Sequence, residues 1–185
     1  MLLALAGVTG VGKSYYKEKI VELLGFKKVN TIRTRAIRTG EKEGKTGLFM
    51  TSEEIDSLEK EDKIAYRFSV FGGEYAYLSD EINSSDNMVF EMHYTTIDDW
   101  KKIKPNIKTI YIVPTNIEFA IQNTINRNLP KNKEIERLLE IQEQYNTFIT
   151  DKDLQSKFDF IVYNNFDKKS EDEILNIVKD LMIKD

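Results

Sequence analysis

The residues near the start of the chain that could do chemistry are Gly7, Gly12, Lys13 and Ser14, in the pattern Gly-x4-Gly-Lys-Ser. Glycines let the backbone curl so that its N–H groups point inward at an anion. A lysine at this place reaches the terminal phosphates of a nucleotide, and the serine hydroxyl is a ligand for Mg²⁺. We therefore predict a phosphate-binding loop. Its predicted binding residues are Thr9, Gly10, Val11, Gly12, Lys13 and Ser14.

A second candidate anion site lies in the stretch "TIRTRAIRTGE", which contains Arg33, Arg35 and Arg38. Guanidinium groups hold phosphate through paired hydrogen bonds, which fixes its orientation as well as its position. The stretch follows a predicted strand, and loops at the carboxyl ends of parallel strands form the ligand crevice of an open sheet. Two anion sites that face each other would allow a phosphoryl group to pass from one ligand to another.

Alternating strands and helices position these residues. The apolar runs "LLALA", "KKVNTI", "MVFEM", "KTIYIV" and "FDFIVYN" predict strands, and helical patterns lie between most of them. This order predicts an α/β, three-layer P-loop NTPase fold, with a mainly parallel sheet and helices on both faces. Between Arg33 and about Asp86 we predict mostly irregular chain, with a short helix over 52–60 and an aromatic strand pair around Tyr66 to Tyr77.

Three helix boundaries carry end signals. Gly25 is placed to end the helix that follows the phosphate loop. Thr115 with Glu118, and Ser170 with Glu173, have the spacing of capping boxes and predict the starts of two later helices.

Composition limits the possible functions. The 185 residues include no cysteine and one histidine, so disulfides, thiolate catalysis and Cys-ligated zinc are excluded. The net charge is −4, which argues against a nucleic-acid-coating protein. The opening apolar run is too short for a signal peptide or a membrane span. We expect a cytoplasmic protein with small-molecule nucleotide partners, neither nucleic acid nor membrane, and a monomeric or homodimeric state.

The arginine stretch, followed by Gly44, resembles the signature of the guanylate kinase family, Thr-Arg-x-x-Arg-x-Gly-Glu. The resemblance extends over nearly the whole chain, through "FGGEYAYLS", "MVFEM" and "FIVYNN". It implies transfer of the γ-phosphoryl group of ATP to GMP with Mg²⁺, and Arg35 and Arg38 as the residues that hold the acceptor's phosphate, with Thr31 nearby. It also implies a single domain over 1–185, with a core (1–32, 87–126, 135–185), a nucleotide-binding flap (33–86) and a lid (127–134).

The resemblance also assigns residues on the donor side. It implies that Arg127 and Arg137 close over the transferring phosphoryl group. Spacing alone leaves Arg137 equally compatible with the surface of an amphipathic helix. In "YNNF", Asn164 would border the adenine.

The acceptor side departs from the family pattern. Gly47 stands where the family has a tyrosine, and Arg67 falls at the expected place of a glutamate that reads guanine. Tyr75 matches directly, and Tyr77 and Ser79 take the later tyrosine and hydroxyl positions after one inserted residue. An arginine offers donors only, so it cannot accept from the N–H groups of guanine. These departures raise the hypothesis that the acceptor is not GMP, as an alternative to the GMP that the resemblance implies.

The family's two strand-end carboxylates become Glu91 and His93 in "EMH". Glu91 could position Mg²⁺-bound water opposite Ser14, or it could pair with Arg35 or Arg38. His93 could line the acceptor pocket as a neutral group, or it could be a strand-end histidine bonded to a backbone carbonyl.

Three function classes follow. The first is an ATP-dependent nucleoside monophosphate kinase, with GMP or dGMP as the first choice of acceptor. The second is a kinase of the same fold for another deoxynucleotide or for ribose 1,5-bisphosphate, in which Arg67 would bind the additional phosphate. The third is a non-catalytic binding module, against which the intact Gly12-Lys13-Ser14 counts.

Overall fold

The computed structural model describes residues 1–37, 41–44, 46–70 and 72–184, and within them nine strands form two sheets. Arg38 lies outside the described residues. The strands are β1 (Leu2–Gly7), β2 (Lys27–Lys28), β3 (Ile32–Arg33), β4 (Leu48–Phe49), β5 (Ile64–Val70), β6 (Gly73–Leu78), β7 (Met88–Glu91), β8 (Lys108–Pro114) and β9 (Phe160–Asn164).

The described chain also forms eight α-helices and one 3₁₀ turn, Tyr94–Thr96. The helices are α1 (Lys13–Leu24), α2 (Ser52–Lys60), α3 (Ser79–Ile82), α4 (Ile97–Ile103), α5 (Ile117–Ile125), α6 (Lys131–Thr150), α7 (Lys152–Ser156) and α8 (Lys168–Lys184). No helix in this part of the chain combines the length and apolarity needed to cross a membrane.

The central sheet has the strand order β2-β7-β1-β8-β9, and every pairing is parallel. Ala4 of β1 packs with Trp100 on one face, and Leu5 packs with Ile20 and Ile174 on the other. This alternation buries both faces of β1, which explains its continuous apolar run. The predicted three-layer α/β architecture is confirmed. Because the strands are parallel, Gly7 and Glu91 reach the same edge of the sheet.

A second, mixed sheet with the order β4-β3-β6-β5 is built from residues 32–78. The predicted aromatic strand pair is confirmed as β5 and β6, and the predicted short helix as α2, which begins with a Thr51–Glu54 capping box. The prediction of mostly irregular chain between Arg33 and Asp86 was wrong in part, since this segment holds the second sheet and two helices.

The prediction that "KKVNTI" is one strand was wrong. Lys27–Lys28 pairs with β7 in the central sheet, whereas Ile32–Arg33 pairs with β4 and β6 in the second sheet. Between them, the backbone N–H and the side-chain amide of Asn30 both donate to the Glu81 carboxylate, at 2.7 and 2.6 Å. This contact takes a backbone donor that a continuing ladder would use, so the chain changes sheets here.

Two of the three predicted helix ends need correction. Gly25 ends α1 in a left-handed conformation, as predicted. The start of α5 is capped by Asn116 rather than Thr115, whose hydroxyl donates instead to Asn165 at 2.7 Å. At α8 the Asp167 carboxylate accepts from the backbone N–H of Ser170, so Ser170 lies inside the helix and is not its cap.

Candidate active site

A cavity of about 480 Å³ lies beside the phosphate loop and is walled on its far side by the second sheet. It brings together most of the predicted site residues from both sheets. The predicted residues that line it are Thr9, Gly10, Gly12, Lys13, Ser14, Thr31, Tyr75, Tyr77, Glu91, His93, Arg127 and Arg137.

The loop glycines are required by close packing. Gly10 has a φ of +81°, and a Cβ atom there would lie 2.2 Å from the Ala120 carbonyl oxygen of α5. Gly7 has a φ of +142°, and its Cβ would lie 2.4 Å from the Ile112 carbonyl oxygen of β8. Val11 is fully buried, so its predicted contribution to binding is limited to backbone groups.

Lys13 folds back over the loop. Its Nζ donates to the carbonyl oxygens of Gly7 and Val8 at 2.7 and 2.9 Å. Burial lowers the pKa of Lys13 to about 8, and the nearby Arg127 adds to the effect, while Glu91 opposes it. An anionic phosphate here would stabilise the charged form of Lys13.

Glu91 lies opposite Ser14 at the carboxyl edge of the central sheet. Its Oε2 accepts from the Ser14 hydroxyl at 3.2 Å, and its Oε1 is 2.6 Å from the Nζ of Lys17. Burial raises the pKa of Glu91, but Lys17 and Lys13 outweigh burial and hold the pKa below its usual value. This position is the one that the predicted arrangement opposite Ser14 requires, and of the two arginines in the alternative arrangement Arg38 lies outside the described residues. Lys17 was missed, although its place one helical turn after Lys13 was a usable signal.

The arginine stretch is arranged differently from the prediction. Arg33 lines the cavity, and its Nη1 donates to the Thr46 carbonyl oxygen at 2.7 Å. Arg35 is not among the residues that line it, and both of its terminal nitrogens bond the Glu41 carboxylate, at 2.6 and 2.5 Å. Both guanidinium groups lie over the Phe49 ring, 5.9 and 5.6 Å from its centroid. Arg33 is therefore the arginine of this stretch that the described structure brings to the cavity.

Gly47 makes room for Arg33. Its φ is +153°, and a Cβ atom there would lie 2.0 Å from Nη1 of Arg33 and 2.7 Å from the Thr31 carbonyl oxygen.

Gly47→Ala should therefore displace Arg33 and destabilise the protein by about 1–3 kcal/mol, the usual cost of forcing an unfavourable backbone conformation. Urea unfolding measures this cost. Gly44→Ala is the matched control, because Gly44 has a φ of +69° but no atom within 4 Å of its Cβ position. Equal losses of stability in the two variants would contradict the crowding argument.

Aromatic and apolar side chains form the cavity wall on the second sheet. Phe68 and Val70 of β5, and Tyr75 and Tyr77 of β6, line the cavity. Because side chains alternate along a strand, Arg67 points to the opposite face.

Two predicted acceptor residues therefore lie outside the cavity. The Arg67 guanidinium is held by Asp56, Glu59 and Glu74 at 2.6, 3.0 and 2.9 Å, which corrects its predicted place in the acceptor site. Ser79 begins α3 and its hydroxyl donates to the Asp62 carbonyl oxygen at 3.3 Å, so it does not reach the cavity either.

His93 lines the cavity as a neutral ring. Its Nε2 faces the amide nitrogen of Gln144 at 3.3 Å, and its Nδ1 lies 2.7 Å from the Thr95 hydroxyl. An amide nitrogen only donates, so Nε2 is the acceptor and the proton lies on Nδ1. Burial lowers the pKa of His93 to about 4, with further lowering by Lys13 and Arg137.

One face of α6 turns polar side chains into the cavity. Arg137 donates to Glu140 at 2.6 Å, and the Gln144 amide donates to the other oxygen of Glu140 at 2.7 Å. The Arg137 side chain is only 17% exposed, which excludes the surface alternative. Glu140 and Gln144 were missed, although their spacing from Arg137 places all three on one helical face.

Asn164 joins the phosphate loop to a second cavity of about 440 Å³. Its side-chain oxygen accepts from the Tyr16 hydroxyl and the Phe166 N–H, both at 2.7 Å, and its nitrogen donates to the Val11 carbonyl at 2.9 Å. Tyr15, whose hydroxyl bonds to Glu171, also borders this second cavity.

Comparisons with known proteins agree with this geometry. A family model described as guanylate kinase matches residues 1–184. Guanylate kinases from the Lens and Paris strains of Legionella pneumophila are both 24% identical over 183 residues, which cover 96% of this chain and 84% of theirs. The crystal structure of guanylate kinase from Anaplasma phagocytophilum superposes with a TM-score of 0.70 at 21% identity, and the match covers 97% of this chain and 84% of that one.

A parallel sheet whose first strand runs into a glycine loop, a lysine and a helix defines the class of P-loop nucleoside-triphosphate-binding proteins. Within that class, the chain belongs to the guanylate kinase family, a family of ATP-dependent nucleoside monophosphate kinases.

Proposed function

We propose that this protein transfers the γ-phosphoryl group of ATP to the phosphate of a nucleoside monophosphate bound in the main cavity. The observation that carries the proposal is that Lys13 of the phosphate loop and Arg33 and Tyr75 of the second sheet line one and the same cavity. Phosphoryl transfer between two phosphorylated ligands requires two neighbouring sites, each of which binds a phosphate through a positively charged side chain.

On the donor side, the loop amides and Lys13 would hold the triphosphate. The second cavity adjoins the loop at Gly12 and would take the adenine, with Asn164 at its border. Ser14 fits a Mg²⁺ ligand, and Glu91 fits a carboxylate that holds Mg²⁺-bound water. The described residues contain no cluster of three or more His, Cys, Asp or Glu side chains that could hold a metal, so the remaining ligands would come from the phosphates and water. When bound, the ion would neutralise phosphate charge.

The chemistry would be one of position and charge. An acceptor phosphate oxygen is already anionic at neutral pH, so the protein need not supply a base. Arg33 and Tyr75 would hold the acceptor phosphate, and Arg127 and Arg137 would contact the transferring group. Arginines in such positions stabilise the charge on the equatorial oxygens. Exclusion of water from the closed cavity would prevent hydrolysis of ATP.

The division into flap, lid and core is part of this proposal. The second sheet lies almost entirely within the proposed flap, 33–86, and the proposed lid, 127–134, contains Arg127 and the first turn of α6. Closure of both segments toward the loop would bring the two ligands into line.

GMP is the acceptor suggested by the names of the relatives, which are guanylate kinases, and dGMP is its deoxy analogue. The alternative of ribose 1,5-bisphosphate depended on Arg67 as an additional phosphate ligand, and the three carboxylates around Arg67 remove that support. The non-catalytic alternative is opposed by the arrangement of Lys13, Ser14 and Glu91 in one cavity.

The direct test is an assay of ADP production from ATP across nucleoside monophosphates and ribose 1,5-bisphosphate. We expect at least one nucleoside monophosphate to stimulate ADP release and to appear as its diphosphate. ATP consumption that no acceptor stimulates would contradict the proposal.

Arg33→Ala should raise the KM of the acceptor about 10- to 100-fold and change kcat little. This range corresponds to the loss of a hydrogen bond to a charged group. Steady-state kinetics with varied acceptor at saturating ATP measures the effect. Arg67→Ala removes a guanidinium from the other face of the same sheet and should leave the acceptor KM within about two-fold. A larger KM change in the Arg67 variant than in the Arg33 variant would reverse the assignment.

A further inference from the structure

We propose that Gln144 is a positioning residue for phosphoryl transfer. It holds the Glu140 carboxylate against Arg137 and, through His93, ties this face of α6 to the residues that follow β7. The inference rests on the proposed function, because it concerns the arginine that would contact the transferring phosphoryl group.

The Gln144 amide nitrogen lies in the middle of a chain of polar contacts. It donates to Oε1 of Glu140 at 2.7 Å and faces Nε2 of His93 at 3.3 Å. Oε2 of Glu140 in turn accepts from the Arg137 guanidinium at 2.6 Å. Gln144 is 6% exposed, so water has little access to replace these contacts. The chain of contacts therefore runs without a break from the end of β7 to Arg137.

Gln144 directs its two N–H groups to two different parts of the structure. A primary amide carries both donors on one nitrogen. One donor meets a carboxylate that lies one turn earlier on the same helix, and the other meets a ring nitrogen outside the helix. The first contact fixes the rotamer of Glu140, and the second holds α6 against the central sheet. Loss of Gln144 would therefore let Glu140 rotate and would remove a link between α6 and β7.

A neutral amide suits this place because the cavity is rich in positive charge. Its described lining includes five cationic side chains, those of Lys13, Lys17, Arg33, Arg127 and Arg137. Glu140 offsets part of the repulsion on Arg137, and an amide orients that carboxylate without adding a charge. A cation in place of Gln144 would compete with Arg137 for the carboxylate, and an anion would repel it. The residue type therefore fits a group that orients Glu140 and leaves its charge to Arg137.

Small displacements of Arg137 should change the rate of transfer. A guanidinium carries five N–H donors in a fixed fork, so it can bond Glu140 and a phosphate oxygen at once. A misplacement of about 1 Å can cost about 10²-fold in rate. Arginine has many rotamers, and Glu140 held by Gln144 restricts them before the substrates bind. The contribution of Gln144 is therefore expected in kcat.

Gln144→Met tests this role, because methionine is also a long, unbranched side chain and lacks both donors. We expect kcat to fall about ten-fold, while the KM values of ATP and of the acceptor stay within about two-fold. Gln142→Met is the matched control on the same helix, since Gln142 is exposed and bonds to the exposed Asn146 at 3.1 Å. It should keep the kinetic constants of the wild type. An unchanged kcat in Gln144→Met, or equal losses in the two variants, would overturn the inference.

Glu140→Ala tests the same chain of contacts at its next member. Alanine has the highest helix propensity, so this substitution preserves α6. It removes the carboxylate that Gln144 orients, and kcat should again fall about ten-fold with little change in either KM. Wild-type kcat in this variant would also overturn the inference.

A double-mutant cycle with Arg137 separates positioning from a general structural role. If Gln144 acts through Arg137, Gln144→Met should lower kcat by less than about two-fold in the Arg137→Ala background. The same ten-fold loss in both backgrounds would show that Gln144 acts independently of Arg137, which would overturn the inference and leave the proposed function standing. Failure of the wild-type protein to phosphorylate any nucleoside monophosphate would overturn the proposed function, and this inference with it.

Discussion

Replacement of Lys13 with alanine should lower kcat by about 10³-fold or more. Lys13 is the cation that the phosphate loop brings to the cavity, and it would contact the phosphoryl group as negative charge is redistributed. Coupled measurement of ADP release with saturating ATP and acceptor gives the value. We expect the thermal midpoint to change little, since burial already disfavours the charged lysine in the nucleotide-free protein.

Lys27→Ala is a suitable control for the Lys13 variant. Lys27 lies in the edge strand β2, forms an exposed ion pair with Asp86 at 2.6 Å, and is not among the residues that line the cavity. It should retain wild-type turnover, because exposed ion pairs contribute little. More than about a tenth of wild-type activity in folded Lys13→Ala would contradict the assignment of Lys13.

The second large effect is expected for Arg137→Ala, a loss of about 10³-fold in kcat with small changes in both KM values. An arginine that contacts the equatorial oxygens acts mainly in the transition state, so its removal lowers kcat rather than substrate affinity. Glu140 holds the Arg137 guanidinium at 2.6 Å and is itself bonded by Gln144, so the group is positioned before substrate arrives.

The same helix supplies a matched control for Arg137. Lys133 pairs with Glu136 at the same three-residue spacing, at 2.8 Å, and both of these side chains are more than half exposed. Lys133→Ala should keep kcat within about two-fold of wild type, as expected for a surface pair. If Arg137→Ala instead raised a KM and left kcat intact, Arg137 would be a binding residue.

The different positions of Arg33 and Arg35 show what the local sequence pattern does and does not predict about the acceptor site. The sequence indicates that three arginines crowd into one loop, and the resemblance favours Arg35 and Arg38 as acceptor ligands. In the structure the Glu41 carboxylate engages Arg35, while Gly47 leaves space for Arg33 against the cavity. Neither contact can be read from composition or spacing, because each depends on how the loop folds back on itself.

The positions of Arg67 in the second sheet and of Glu91 in β7 also depend on tertiary contacts that the local sequence does not reveal. Alternation along β5 was predictable, but which face meets the cavity depends on how the second sheet is set against the phosphate loop. Likewise, Glu91 lies beside Lys17 and Ser14 because β7 is the neighbour of β1 in the sheet.

By itself, the sequence determined the phosphate loop, the alternation of strands and helices, and the α/β class, since each depends on residues that are close in the chain. Local backbone conformation and apolar periodicity carry that information. Only the tertiary structure decided which cations and carboxylates reach the cavity, because those contacts join residues from different sheets and from α6. Side-chain pairing across such distances is selected by packing and by competition among partners, and neither is visible along a single stretch of chain.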